Sequence, residues 1–530
     1  MDKSENIPAD QTAEIKDGIT NPAFVYDDCL NVHEQQQIDE TNVKLMTDTQ
    51  IKMEKRKIMK NVLLISLAFL FNFNAFQGLS RLQSSLHRDQ GMGTANSAVL
   101  YAALMISSLL VPKIMINLIG YKWTIPLSTT GYILWMAANG YAVWGTMVTA
   151  SILVGLCAAP LWTAQKSYCT IIARRYATLT QEDGDAMVAR FLGIFYGIFQ
   201  LSSVTGSVIS STVLRQPANE IDDDILGLCG ANDCPGNNAS NPNAEKPPDQ
   251  TVWILLGIYI AIAVLGVILV SLFVDELPKF LLPEKKDVKK ETVELLTSTI
   301  GLCKDPKMMA LIPLMMYTGF EQGAFNAEFT KSFVTCSMGI WQVGFVTIPY
   351  GVMNALASVL SGRIAKYTGR IPLFTAGFLV DYAIQIVLIT WMPTPRQDYV
   401  MYILAMMWGF TDAMWQTLLN AMLGVIFDDP IPAFANDSLW GSFGFVIAFA
   451  YSEYLCTDVK LYILISVLTV SAIGYYIAEY LHKKEVSSKS KNEEATFQNG
   501  LNGLPKKDNL PTVYKPRQAF KENGVICTEL

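Results

Sequence analysis

Glu321 and Asp412 each place an acid in the middle of an apolar stretch long enough to cross a bilayer. A charge at the centre of a membrane helix costs roughly 2.5–3.5 kcal/mol on insertion scales, so such a residue faces a bundle interior or a wet cavity. Both lie too deep for a short side chain to reach the headgroups. Two readings follow: carboxyls that couple proton movement to something else, or neutral, hydrogen-bonded residues that pack the interior. Lys166, within GLCAAPLWTAQKSYCT (Gly155–Thr170), is a cation that could pair with either acid. Alternatively its long stem snorkels to the headgroups, where Arg174 and Arg175 follow two turns on. Polar and aromatic side chains accompany these charges three and four residues apart, hence on one helix face. They are Asn74, Gln77 and Arg81; Trp162, Gln165, Lys166 and Cys169; Glu321, Phe325 and Glu328; and Asp412, Gln416 and Asn420. Trp408 and Trp415 flank the last set. Amides and indoles at such positions can contact a small solute, or simply join helices and fill space. Glu328 and Lys331, three apart, are expected to form a local ion pair.

Enzymatic chemistry has no support. His33, His87 and His482 are scattered without metal-ligand spacing, and there is neither a glycine-rich phosphate loop nor a nucleophile elbow. No catalytic residue, cofactor, metal or nucleic-acid partner is expected.

The elements that must hold these side chains are membrane helices. The 530 residues are 51% hydrophobic and 16% charged, with a mean hydropathy of +0.28. Twelve apolar spans of about twenty residues run near 58–79, 95–118, 124–143, 147–172, 190–214, 251–273, 307–330, 341–364, 371–391, 399–425, 434–456 and 461–481. The polar stripes fall on the first, fourth, seventh and tenth. The expected organisation is an N-terminal tail (1–57), a six-helix half (58–273), a charged linker (274–306), a second six-helix half (307–482) and a C-terminal tail (483–530). Both tails are polar enough to be disordered. This is an all-α polytopic membrane protein in two six-helix halves.

Basic residues orient it. Lys52, Lys55, Arg56, Lys57 and Lys60 precede the first span, Arg174 and Arg175 follow the fourth, and Lys483 and Lys484 follow the twelfth. If the spans alternate, all lie on one side, which the positive-inside rule makes cytosolic, together with both termini. The basic cluster before the first span suits anionic lipid, at about 1 kcal/mol per residue. The 216–250 loop then faces outward or into a lumen. It carries Asn238 in the glycosylation triplet Asn-Ala-Ser, and Cys229 and Cys234, which could pair in an oxidising compartment. Cys336 and Cys456 lie near outer span ends and could form a second bridge, or be small buried residues.

Polar stripes on every third span are the layout of the major facilitator superfamily, where the first helix of each triplet surrounds a central cavity. GRIAKYTGR (Gly362–Arg370) resembles that superfamily's short cytoplasmic loop motif, and NLIGYK (Asn117–Lys122) is a weaker copy. Longer strings are more specific: APLWTAQKSY, GFEQGAFNAEFTKSFVTCSMGI, DAMWQTLLNAMLG, AFANDSLWGSFGFVIAFAYSEYLC and KLYIL. Together they resemble the uncoordinated-ninety-three (Unc-ninety-three-like) family, closest to its A subgroup, over residues 58–482. The resemblance implies a multi-pass protein of the plasma membrane, with endoplasmic reticulum or endosomal membranes as alternatives. It implies an accessory or regulatory subunit of an ion channel, in particular a two-pore-domain potassium channel. Alternatives are a proton-linked solute transporter and a chaperone for membrane receptors. Three departures from the family pattern stand out: Lys166 stands where a small residue is usual, Glu321 where Gln is frequent, and Ser438 and Gly441 flank the Leu439-Trp440 pair where charges are common.

Overall fold

The computed structural model describes residues 46–87, 91–216, 223–235, 241–282, 288–394, 397–427 and 430–502. Among them twelve long helical runs follow the spans in order. They are α1 (Asp48–Ser80), α2 and α3 (92–119 and 121–138), α4 (Trp144–Thr180), α5 (Gly184–Val213) and α6 (Asp249–Phe273) in the first half. The second half holds α7 (Pro306–Ala324), α8 (Gln342–Thr368), α9 (Arg370–Thr390), α10 (Tyr399–Ile426), α11 (Pro430–Ala450) and α12 (Thr457–Asn502). The run Met92–Ala138 is continuous except at Gly120, whose φ of 80° and ψ of 166° bend it into two spans. Gly369, at φ 76°, makes the corresponding break between α8 and α9.

Among the described residues eight helices are long and apolar enough to cross a membrane, with Met92–Tyr141 counted once. The runs outside that set are α7, α10 and α11. These carry Glu321, then Asp412, Gln416 and Asn420, then Asn436 and Asp437, so their polar content is the physical reason for their lower hydropathy.

Local sequence explains the helix ends. Thr47 and Gln50 cap α1 reciprocally, with Gln50 Oε1 accepting from the Thr47 N–H at 2.8 Å. Asp305 caps α7 ahead of Pro306, accepting from the Lys307 N–H at 2.7 Å. The expected tail boundaries are corrected at both ends. Helix already covers 48–57, because the capping box nucleates α1 well before the apolar span. At the other end, α12 runs on to Asn502. No Gly or Pro interrupts residues 475–499, and an established helix propagates through such polar sequence at little cost. The linker also contains a helix of its own, Val288–Leu302.

Glycines allow the closest crossings. A Cβ on Gly206 of α5 would lie 2.2 Å from the Asn74 carbonyl oxygen of α1, and one on Gly319 of α7 would lie 1.9 Å from that of Gly441 on α11. Backbone cannot yield to a side chain at such distances, so both sites require glycine.

We call the end of the bundle bearing the α5–α6 connection the loop face, and the opposite end the tail face. On the tail face the ion pairs Glu54–Arg175, Lys60–Asp275, Lys307–Glu485 and Arg370–Glu479 each stay within one half. Partial burial pushes the Asp275 carboxyl up, but the Lys60 hydrogen bond and the Lys57 and Lys60 charges outweigh it and hold the group below the usual carboxylate range.

On the loop face the cysteines pair differently from expectation. The bridges are Cys229–Cys336 and Cys234–Cys456, not Cys229–Cys234 and Cys336–Cys456. The turn Gly230–Asn232 lies between the first two cysteines. It lays the segment across the end of the α7 run and the start of α12, so each thiol meets a different neighbour. Asn238 lies outside the described residues.

Candidate functional site

The α7 run does not remain α-helical. From Phe325 to Thr335 it widens into a π-helix with i→i+5 hydrogen bonds, then closes with Cys336–Met338. The wider turn takes Glu328 and Lys331 off a common face, which overturns their expected pairing. Glu328 instead accepts from Lys460 Nζ of α12 at 2.6 Å and from Ser452 Oγ at 2.6 Å. Lys331 pairs with Glu453 at 2.8 Å.

One turn before the widening, Glu321 is fully buried and accepts a hydrogen bond from the Trp408 indole of α10. Asp412, one turn further along α10, is equally buried. It accepts from Tyr350 Oη of α8 at 2.6 Å, from the Asn354 amide, and from Gln416 Nε2 at 3.0 Å. The Glu321 and Asp412 carboxyls are near enough for each to feel the other's charge. A third carboxyl, Asp381 of α9, accepts from Tyr317 Oη at 2.6 Å, and Tyr317 Oη accepts from Gln385 Nε2 at 2.8 Å. Glu321 Oε1 and Asp381 Oδ1 have no donor among the described residues. No Lys, Arg or His there hydrogen-bonds to any of the three. Nor do His, Cys, Asp and Glu converge anywhere among the described residues in a group of three suited to a metal ion.

The cation that approaches this cluster is Arg81, at the end of α1. Its guanidinium stands 5.4 Å from the Tyr350 ring centre. Its nitrogens donate to Ser207 Oγ at 2.8 Å and Ser203 Oγ at 2.7 Å on α5, and to Thr347 Oγ1 of α8 at 3.4 Å. Arg81 is buried and joins the two halves on the loop-face side. Ser85–Thr335 (2.8 Å), Ser207–Thr347 (3.0 Å) and Gln200–Asn354 (3.2 Å) extend the same seam.

The residues singled out in the sequence therefore divide. Glu321, Asp412 and Gln416 come together, and Asn420 adjoins them by donating to the Gln416 carbonyl at 2.6 Å. Gln416 and Asn420 are exposed, so they form the open edge of the cluster. Asn74 and Gln77 serve the α1–α5 contact, donating to Thr205 at 2.7 Å and Ser202 at 3.3 Å. Trp162 packs edge-on or tilted against Phe69, Phe73 and Phe199, with ring centres 5.0–5.4 Å away. Gln165 is fully buried and donates to Cys169 Sγ at 3.5 Å. Lys166 is exposed and does not pair with Glu321 or Asp412; Asp437 of α11 lies within its Coulomb range instead. Sequence reasoning missed Asp381, Tyr350 and Asn354. Their signals were the i, i+4 pairs Asp381/Gln385 and Tyr350/Asn354 within apolar helices.

The protein-family model described as "Ion channel regulatory protein UNC-93" matches residues 87–476. The chain is 44% identical over 450 residues to "Protein unc-93 homolog A" of Xenopus laevis, covering 83% of this chain and 98% of that one. The chain belongs to the UNC-93 family. A Caenorhabditis elegans member, "Putative potassium channel regulatory protein unc-93", is 32% identical over 80% of this chain and 61% of its own length. Among solved structures, a nucleoside transporter, NupG, superposes with a TM-score of 0.57 at 12% identity, covering 78% of this chain and 98% of that one. That likeness shows the fold: this UNC-93 family member is built as a major facilitator transporter is built.

Proposed function

We propose that this protein is a regulatory subunit of an ion channel, with two-pore-domain potassium channels as the partner class. The observation that carries the reading is membership of a family described as ion channel regulatory proteins, together with the worm relative's potassium-channel designation. The orientation belongs to the same proposal. Basic residues gather on the tail face, which makes that face and both termini cytosolic. The two cystines suit an outer or lumenal loop face. The plasma membrane is the proposed home. Co-expression with two-pore-domain channels, reading current and surface density, should change at least one of them. Unaltered current and density across the whole channel set refutes the reading.

A second reading, proton-linked solute transport, is favoured by the Glu321–Asp412 carboxyl pair within one hydrogen bond of exposed Gln416. Purified protein in liposomes should then move a solute with a proton gradient, and Glu321→Gln should abolish the proton dependence. Absence of flux across a broad solute panel sinks it.

A further inference from the structure

The α5–α6 connection belongs to the first half by sequence but is bonded to the second. Besides the two cystines, the Thr457 N–H donates to the Asp233 carbonyl at 2.9 Å. Asn241 Nδ2 donates to the Cys336 carbonyl at 2.9 Å, and Asn243 Nδ2 to the Ser337 carbonyl at 3.1 Å. Gly230, at φ 73°, sits so close to Pro393 and Phe333 that an added Cβ would approach them to 3.0 and 3.2 Å. Through residues 229–234 and 241–243 the segment is thus seated on the ends of α7 and α12, at the same end of the bundle as the seam where Arg81 joins α5 to α8.

We propose that this segment is a covalent clasp that holds the two halves closed on the loop face. The cystines span sequence separations of 107 and 222 residues, and each links the first half's connection to a different end of the second half. Five residues apart and separated by a helical turn, Cys229 and Cys234 form a two-point attachment that cannot pivot as a single bridge could. The return path is short as well. Asn243 is docked and α6 begins at Asp249, so the five intervening residues, six Cα-to-Cα steps, reach at most about 20 Å fully extended. The loop-face end of α6 is leashed to the end of α7 within that reach, and any larger separation must first strip the Asn241 and Asn243 hydrogen bonds. The tether keeps the halves at high effective concentration for the Arg81 seam to re-form. The clasp holds whether or not the partner is a channel; it rests only on the loop face lying in an oxidising compartment.

The test places a reporter below the seam. Gln77→Cys in the full chain, expressed in intact cells, is exposed to a membrane-impermeant maleimide, and the parent chain sets the background. Tyr141→Cys, at a position 69% exposed on the loop face, serves as the accessible control. With both cystines present, the Gln77→Cys signal should equal background while Tyr141→Cys labels fully. Replacing Cys229, Cys234, Cys336 and Cys456 by Ser should raise Gln77→Cys labelling about ten-fold, the mark of a population shifted towards an open loop face. Should the four-serine chain fail to reach the surface, reduction of surface protein by an impermeant phosphine, corrected by the reduced parent, makes the same measurement. Labelling of Gln77→Cys with the cystines intact overturns the clasp. So does labelling that stays at background once they are gone, since the Arg81 seam alone would then hold. Neither result bears on channel current, so the clasp and the regulatory reading fail separately.

Discussion

Lys460→Met should be among the most damaging single substitutions in the second half, for a reason that a double mutant isolates. Glu328 and Lys460 are each only 5% exposed and meet at 2.6 Å. Ser452 completes the arrangement, its hydroxyl donating to the other Glu328 oxygen and its carbonyl accepting from Lys460 at 2.7 Å. Removing one member of a buried, fully bonded ion pair costs about 3–5 kcal/mol, because the remaining charge stays desolvated without a partner. Replacing both by uncharged groups of similar volume is often close to neutral. The cycle Lys460→Met, Glu328→Gln and the double variant therefore has a defined pattern. Both singles should lower the thermal midpoint in detergent, with Lys460→Met the lower. The double should recover most of the loss, leaving a coupling of roughly 3 kcal/mol. A double variant no better than Lys460→Met would show that stem packing, not charge, dominates the site. A Lys460→Met midpoint equal to that of the unmodified chain would show that the pair is hydrated and the reasoning wrong.

Gly319→Val should give no folded protein, since its Cβ would meet the Gly441 carbonyl oxygen at 1.9 Å and neither backbone can retreat; a monodisperse peak on size-exclusion chromatography would contradict this. Arg81→Lys should lose about 1.5–3 kcal/mol of thermal stability, because one ammonium cannot reach Ser203, Ser207 and Thr347 as the guanidinium fork does; an unchanged midpoint would refute the assigned seam. Asp275→Asn should cost no more than about 1 kcal/mol, the ceiling for a partly exposed ion pair. Because the Asp275 carboxyl is held below its ordinary value, its contribution is present above the unfolded-state pKa and is lost as pH falls through the folded-state one. The gap between the unmodified chain and Asp275→Asn should therefore close on acidification, and a gap that widens would reverse the sign.

The carboxyl cluster was half legible. Glu321, Asp412, Gln416 and Asn420 stood out because an acid or amide in an apolar span has few places to go, and i, i+4 spacing put the α10 set on one face. Lys166 was open between a counter-ion to these acids and a stem reaching the headgroups; it is exposed, and the acids are left to Tyr350, Asn354 and Trp408. Asp381 was overlooked since α9 offers a single acid without a recurring stripe. The Glu328–Lys331 pairing failed because three-residue spacing implies a shared face only on an α-helix, and the backbone there is π-helical.

The amino-acid order alone determined the helical class, the membrane-spanning character and the family. Hydrophobic length, charge placement and long diagnostic strings are local properties that need no folding to be read. Tertiary structure alone decided who meets whom. Four cysteines fell on one side of the expected topology, and their positions suggested Cys229–Cys234, with Cys336–Cys456 as a possible second bridge. The docking of the Cys229–Cys234 turn over α7 and α12 chose the pairing that joins the halves. Arg81 likewise was one polar residue on a stripe until α5 and α8 closed around it. Partner choice across a bundle depends on helix rotation and axial offset, and these are set by backbone crossings such as Gly206 over Asn74 and Gly319 over Gly441, contacts between residues more than one hundred positions apart.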